Sequence, residues 1–184
     1  MINYTRNLSF SESKDKARKT VLDFLPDNAK NIISLPAESF MFEAQTKMKN
    51  PGINIYGFEF KQSIIRRNNK ERYFITKEIL KDYVHGDVLR ADLSNIDFAW
   101  LDLCSTPSIE VQSRFITQAR NAKPDSRIVI TLTRKIRNMK EENKPLATIE
   151  QFVKGIHYLT NGKIVKQYDY INGRSPMTML FIQF

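Results

Sequence analysis

Asp102 and Cys104 close the most apolar segment of the chain, IDFAWLDL at Ile96–Leu103, followed by CSTP. A carboxylate at the carboxyl end of a buried strand can orient an amine or hydroxyl, or act as a general base. It can also do no more than cap the turn that follows. The lone thiol of Cys104 would be a nucleophile if its thiolate were stabilised. Otherwise it is a small buried hydrophobe. Glu59 ends a second apolar run, INIYGFE, and can accept two hydroxyl protons. Glu38 precedes a helix, where a carboxylate suits the macrodipole. One cysteine allows neither an internal disulfide nor a multi-cysteine zinc site, and His85 and His157 lack a metal-ligand spacing. No metal site is expected.

Two basic clusters interrupt the apolar runs. Lys61, Arg66, Arg67, Lys70 and Arg72 follow the second run, with Tyr73 and Phe74 available to stack a base. Arg134, Lys135, Arg137 and Lys140 follow RIVITL at Arg127–Leu132. With a net charge of +9, they suit a phosphate-tracking surface for nucleic acid. The plainer reading is a solvated charged face, and Glu141 and Glu142 dilute the second cluster.

At 184 residues, 41% hydrophobic and 27% charged, the chain fits one domain with a full core. It has no run near the ~20 apolar residues of a membrane span. The first residues, MINYTRNLSF, lack an apolar signal region, so a reducing, cytoplasmic setting is expected. A leading helix is read over 11–25, opened by Ser11 and stopped by Pro26. Strands are read at Asn31–Leu35, Ile53–Phe58, Val88–Ala91, Ile96–Leu103 and Arg127–Leu132. Helices lie between, at Ser39–Lys49, Lys61–Asn69, Lys77–Val84 and Ile109–Ala122. A polar insertion, Thr133–Pro145, precedes a helix at Thr148–Leu159. Lys163–Tyr170 and Met177–Gln183 form a closing hairpin around INGRSP. Strands alternating with helices imply a doubly wound α/β fold, with a mostly parallel seven-stranded sheet and a C-terminal antiparallel hairpin.

This order of elements resembles the class I S-adenosylmethionine-dependent methyltransferases over nearly the whole chain. The resemblance places the cofactor turn at Ser34–Ser39, SLPAES, and the ribose-binding carboxylate at Glu59. It implies cofactor contacts from Ser34, Leu35, Ala37, Glu59, Phe60, Asp92, Leu93 and Asp102, with Asp92 near the adenine. It implies a substrate-facing position at Asp102–Ser105, with Asp102 and Cys104 as catalytic candidates. Lys61, Arg66, Arg67, Arg72, Arg134, Lys135 and Arg137 would then meet nucleic acid. SLPAES holds no glycine, whereas the family's turn is glycine-rich. Three readings follow: a methyltransferase acting on nucleic acid, a non-catalytic module of the same fold that contacts nucleic acid or a protein partner, or methyl transfer to a small molecule or protein.

Overall fold

The computed structural model describes residues 12–36, 40–71, 73–105, 107–134, 148–173 and 175–184, with the backbone alone described at 73–75 and 104. Helix α1 is Glu12–Phe24. Strand β1 (Asn31–Ser34) and helix α2 (Met41–Lys49) follow, then β2 (Asn54–Glu59), α3 (Gln62–Glu71), α4 (Tyr73–Ile79) and β3 (Asp82–His85). A single 3-10 turn, Val88–Arg90, leads to β4 (Phe98–Ser105), α5 (Ile109–Ala119) and β5 (Arg127–Thr133). Helix α6 (Ile149–Leu159), β6 (Lys163–Asn172) and β7 (Ser175–Gln183) complete the chain.

The strands form one sheet in the order β3-β2-β1-β4-β5-β7-β6. β1 to β5 are parallel, and β7 lies antiparallel between β5 and β6. The central strands carry consecutive apolar residues because both sheet faces are covered. Ile32 of β1 joins a core with Val21 of α1, Phe42 of α2 and Phe181 of β7. Its neighbour Ile33 joins the opposite core with Phe115 of α5 and Phe152 of α6. The period-2 alternation of strand side chains thus feeds two cores at once.

The architecture read from the sequence is the one observed, but the third strand is not where its apolar letters suggested. Val88–Ala91 forms the 3-10 turn and its exit, and Asp82–His85, read as the end of a helix, is β3. An edge strand needs no continuous apolar run, and four residues in register with Tyr56–Glu59 suffice. Val88 and Leu89 are buried because they plug the core, not because they pair in the sheet. The closing hairpin is also tighter than expected. Asn172 pairs with Ser175, leaving a two-residue connection in which Gly173 has a φ of 64°. Among the described residues, no helix is long and apolar enough to cross a membrane.

Candidate functional site

In open α/β sheets ligands dock outside the carboxyl ends of the strands, where the strand order reverses. Here that crevice is bounded by the ends of β1, β2 and β4. At the end of β1, Ser34 is buried, and among the described residues its Oγ closes no hydrogen bond of ordinary geometry. Pro36 then turns against β2 so closely that a Cβ on Gly57 would lie 2.8 Å from its Cγ. Glycine at 57 is therefore a packing requirement of the turn.

Phe40 opens α2 with φ 49° and ψ 27°, left-handed geometry that costs a non-glycine residue about 1–2 kcal/mol. Its ring is buried, edge-on to Tyr83 at 6.2 Å between centroids. Burial of the aromatic ring offsets the backbone strain. The chain has thus placed a large core residue where a glycine would be unstrained.

Glu43, in the first turn of α2, is only 2% exposed. Burial pushes its carboxyl up to about 7. Its own backbone N–H, the Ser34 hydroxyl and the Arg18 guanidinium pull it down, and Asp102 raises it further. The Ser34 hydroxyl leans on Glu43 without closing a hydrogen bond of normal geometry. Arg18, itself buried, is ion-paired with Asp15. Lys14 reaches Asp102 at 4.0 Å, with both side chains mostly covered. Helix α1 therefore lays two cations over two carboxylates at the ends of β1 and β4. Glu43 was not among the sequence candidates. Its position in an amphipathic helix reads as polar, and only the tertiary fold buries it.

Asp102 stands where strand β4 loses register with β5. Asp102 pairs with Thr131 but Ser105 pairs with Leu132, so Leu103 and Cys104 form an irregularity. Such bulges re-aim side chains at strand ends. Below it, Trp100 Nε1 donates to Thr131 Oγ1 at 3.0 Å and fixes β4 to β5.

At the end of β2, Glu59 Oε1 accepts from the Lys61 N–H at 2.8 Å, and the Glu59 carbonyl accepts from the Gly86 N–H at 3.1 Å. Phe60 beside it is 76% exposed, with its carbonyl 3.0 Å from His85 Nε2. A cavity of about 590 Å3 opens here, lined by Phe58, Phe60, Gly86, Asp87, Arg90 and Arg114. That is within the ~300–1,000 Å3 of small-molecule sites.

Two acidic residues on the connection between β3 and β4 are Asp87, just past the end of β3, and Asp92, the position the resemblance implies. Asp87 accepts from Leu89 N at 3.0 Å and pairs with Arg114 at 2.8 Å. Asp92 lies further along the connection. The Ser94 N–H and hydroxyl hold its carboxyl below the usual range. It lines a separate cavity of about 250 Å3 on the sheet face with Asn31, Ile33 and Tyr56. Leu93 is buried in the core.

The structure brings Ser34, Leu35, Glu59, Phe60 and Asp102 to one end of the sheet. Ala37, Arg72, Lys135 and Arg137 lie outside the described residues, as does the side chain of Cys104. Lys61, Arg66 and Arg67 are exposed at and along α3. Arg134 is engaged differently. Its Nε donates to Thr178 Oγ1 at 2.7 Å, and its guanidinium pairs with Asp169.

No protein-family model matches the sequence, and no curated protein matches it either. Solved structures do share its fold. One is the N-methyltransferase NodS from Bradyrhizobium japonicum in complex with S-adenosyl-L-homocysteine, at 9% identity and a TM-score of 0.63, covering 99% of this chain and 92% of that one. Another is a putative sarcosine dimethylglycine methyltransferase from Galdieria sulphuraria, at 10% identity and a TM-score of 0.65, covering 92% and 86%. A third is the [4+2]-cyclase SpnF, at 11% identity and a TM-score of 0.65, covering 92% and 81%. The fold is that of the class I S-adenosylmethionine-dependent methyltransferases. The cyclase among these neighbours shows that the fold alone does not fix the reaction.

Proposed function

We propose that the protein is an S-adenosylmethionine-binding methyltransferase-like protein whose acceptor is nucleic acid. The observation that carries the reading is Glu59 at the carboxyl end of β2, beside a nucleoside-sized cavity walled by Phe60 and Asp87. The nucleoside half of the cofactor fits these residues, with Glu59 to accept the ribose hydroxyls and Phe60 to cover the ring. When bound, the cofactor supplies an activated methyl group. The chain's own contribution is positional. Asp102, set by the bulge of β4, would orient the acceptor and accept its hydrogen bond. Lys14 of α1, 4.0 Å from Asp102, would flank the acceptor on that side. Lys61, Arg66 and Arg67 would guide a phosphate backbone to the rim.

A second reading, a non-catalytic module, is favoured by the first turn of the crevice. Phe40 occupies left-handed geometry with a buried ring, and Glu43 sets a carboxylate where free helix N–H groups would otherwise face a ligand. Calorimetric titration with S-adenosylmethionine and S-adenosylhomocysteine separates the two. Micromolar binding that is lost in Glu59→Ala supports the cofactor reading, and silence at millimolar ligand favours the module.

A further inference from the structure

We propose that the cavity between the β3–β4 connection and α5 binds a neutral sugar, with Gln118 accepting a hydroxyl proton from it. Gln118 is the first support. Its side chain is only 6% exposed. Its Nε2 donates to Val88 O at 2.6 Å and to Ala91 O at 3.0 Å, tying α5 to the connection. Those two carbonyls fix which branch of the amide is nitrogen, since an oxygen there would meet only acceptors. Oε1 is thereby fixed as well, and among the described residues it has no hydrogen-bond partner. A buried acceptor is ordinarily met by a donor. The cavity that Gln118 lines is where such a donor can stand.

The rest of the wall is the second support. The cavity measures about 540 Å3, within the ~300–1,000 Å3 of small-molecule sites. Ser113, Thr117 and Asn121 line it from the α5 side and Asp92 from the connection. The Thr117 hydroxyl already donates to Ser113 O at 2.9 Å, so toward a ligand it is an acceptor. The Asp92 oxygens take the Ser94 N–H and hydroxyl at 2.9 Å each and keep lone pairs for further donors. Ser113 and Asn121 can both donate and accept. A ligand matched to this wall must donate at several points and accept at others, which is what a set of hydroxyl groups does. Leu89, Ala91 and Leu93 add an apolar strip for the C–H face of a ring.

Charge is the third. Arg90 and Asp92 carry opposite charges two positions apart, and Arg114 is paired with Asp87 and Glu110 at 2.8 and 2.6 Å. The wall has no net charge for an ion to answer, which favours a neutral ligand. The place also differs from the cofactor crevice. α5 begins past the carboxyl end of β4 and ends before β5 starts, so Thr117, Gln118 and Asn121 carry the cavity down the flank of the sheet. The proposal goes beyond the methyl-donor reading and does not depend on it.

The test is an amide-resolved NMR titration of the full chain with D-glucose, D-glucosamine and D-glucuronate, three sugars of one ring size and different charge. Glucose should bind with a Kd of about 1 mM, moving the Gln118 side-chain amide and the backbone amides of 89–93. Both charged sugars should bind more weakly. Gln118→Leu removes the acceptor but also the two bonds to the connection, so the decisive variant is Thr117→Phe. It starts from an exposed position, leaves Gln118 in place and fills the cavity, and it should weaken glucose at least about tenfold. No shift at Gln118 with any of the three sugars, as when water alone meets Oε1, overturns the proposal. So does tighter binding of either charged sugar, or glucose affinity that survives Thr117→Phe. Maltotriose run in parallel assigns the source: a gain over glucose indicates a glycan chain, and no gain a free sugar. S-adenosylmethionine titrated into Thr117→Phe should behave as in the wild type, so the sugar site and the cofactor site can each fail alone.

Discussion

Asp97, just before β4 at the amino end of the sheet, and Glu43, beside the carboxyl end of β1, are both covered carboxylates with opposite surroundings. Asp97 accepts from the backbone N–H groups of Lys30 and Asn31 at 2.8 and 2.9 Å and pairs with Lys123. Burial pushes its carboxyl up, but Lys123 and those two N–H groups outweigh it and hold it below the usual value. It ties together the starts of β1, β4 and β5, since Asp97 N donates to Asn31 O and Arg127 N donates to Asp97 O. Glu43 has its own backbone N–H, the Ser34 hydroxyl and the Arg18 guanidinium, but burial outweighs them, and Phe40 nearby is strained. Buried polar groups are ordinarily satisfied, and those that are not need a reason. The amino end has its own unmet hydroxyl among the described residues, on Ser126, and its own left-handed residue, Asp125 at φ 64°, a residue type that tolerates that geometry. The carboxyl end differs in placing a carboxylate raised by burial next to a left-handed phenylalanine.

The sharpest way to break this contrast is at Phe40. Truncation to alanine should cost about 3–5 kcal/mol, the usual loss for a buried phenylalanine. Glycine loses the same ring but is unstrained at φ 49°, so Phe40→Gly should be about 1 kcal/mol more stable than Phe40→Ala in urea denaturation. Equal stabilities would mean that the left-handed turn carries no strain, and the carboxyl end would lose one of its distinguishing features.

Next in size is the pH response of Glu43. The folded state keeps its proton up to about 7, while the unfolded chain releases it near 4.5. Between these values the unfolded state binds fewer protons, so stability falls as pH rises, by about 3 kcal/mol across the window. Glu43→Gln should flatten that slope in urea titrations at pH 5 and pH 8. An unchanged slope would locate the effect elsewhere. Asp97 predicts the opposite sign. Its depressed value gives stability that is present above the ordinary aspartate value of 3.8 and lost as pH falls through the folded one. Asp97→Asn should cost about 2 kcal/mol at pH 7 and remove the part of acid unfolding that lies below pH 4.

These two carboxylates also show what the sequence discloses. The central strands were legible because burial on both faces writes an unbroken apolar run, as in Phe98–Leu101 and Ile128–Ile130. Glu59 and Asp102 were legible because a polar letter ended such a run. Glu43 and Asp97 were not. Each is a single polar letter between apolar neighbours, Glu43 between Phe42 and Ala44 and Asp97 between Ile96 and Phe98, and their surroundings depend on α1 and on strand starts brought together from far apart in the chain. β3 was misread for a related reason. An edge strand has half its surroundings, so its four residues need not be apolar, while the 3-10 turn beside it, plugging the core, must be. Phe40 could not be read at all, because a φ value leaves no trace in a phenylalanine.

The smallest effect concerns basic residues on either side of the crevice, Arg66 and Arg67 on α3 after β2 and Arg134 just past β5. β2 and β5 are separated by β1 and β4, so the ends they mark are about three strand spacings, roughly 14 Å, apart. Equal letters in the sequence became unequal cations in the fold. Arg134 is held by Asp169 and Thr178, whereas Arg66 is exposed on α3. An exposed pair such as Arg134–Asp169 contributes ~0–1 kcal/mol, so Arg134→Ala should barely move stability, and less so in 1 M salt. On single-stranded nucleic acid the order should reverse. Arg66→Ala combined with Arg67→Ala should reduce the slope of log affinity against log salt by about 1.4, roughly 0.7 per phosphate contact on a single strand, while Arg134→Ala leaves the slope alone. Fluorescence anisotropy across 50–300 mM salt reads both. A slope change in Arg134→Ala equal to that of the α3 pair would mean that its ion pair opens for phosphate, and that the two sides of the crevice act as one surface.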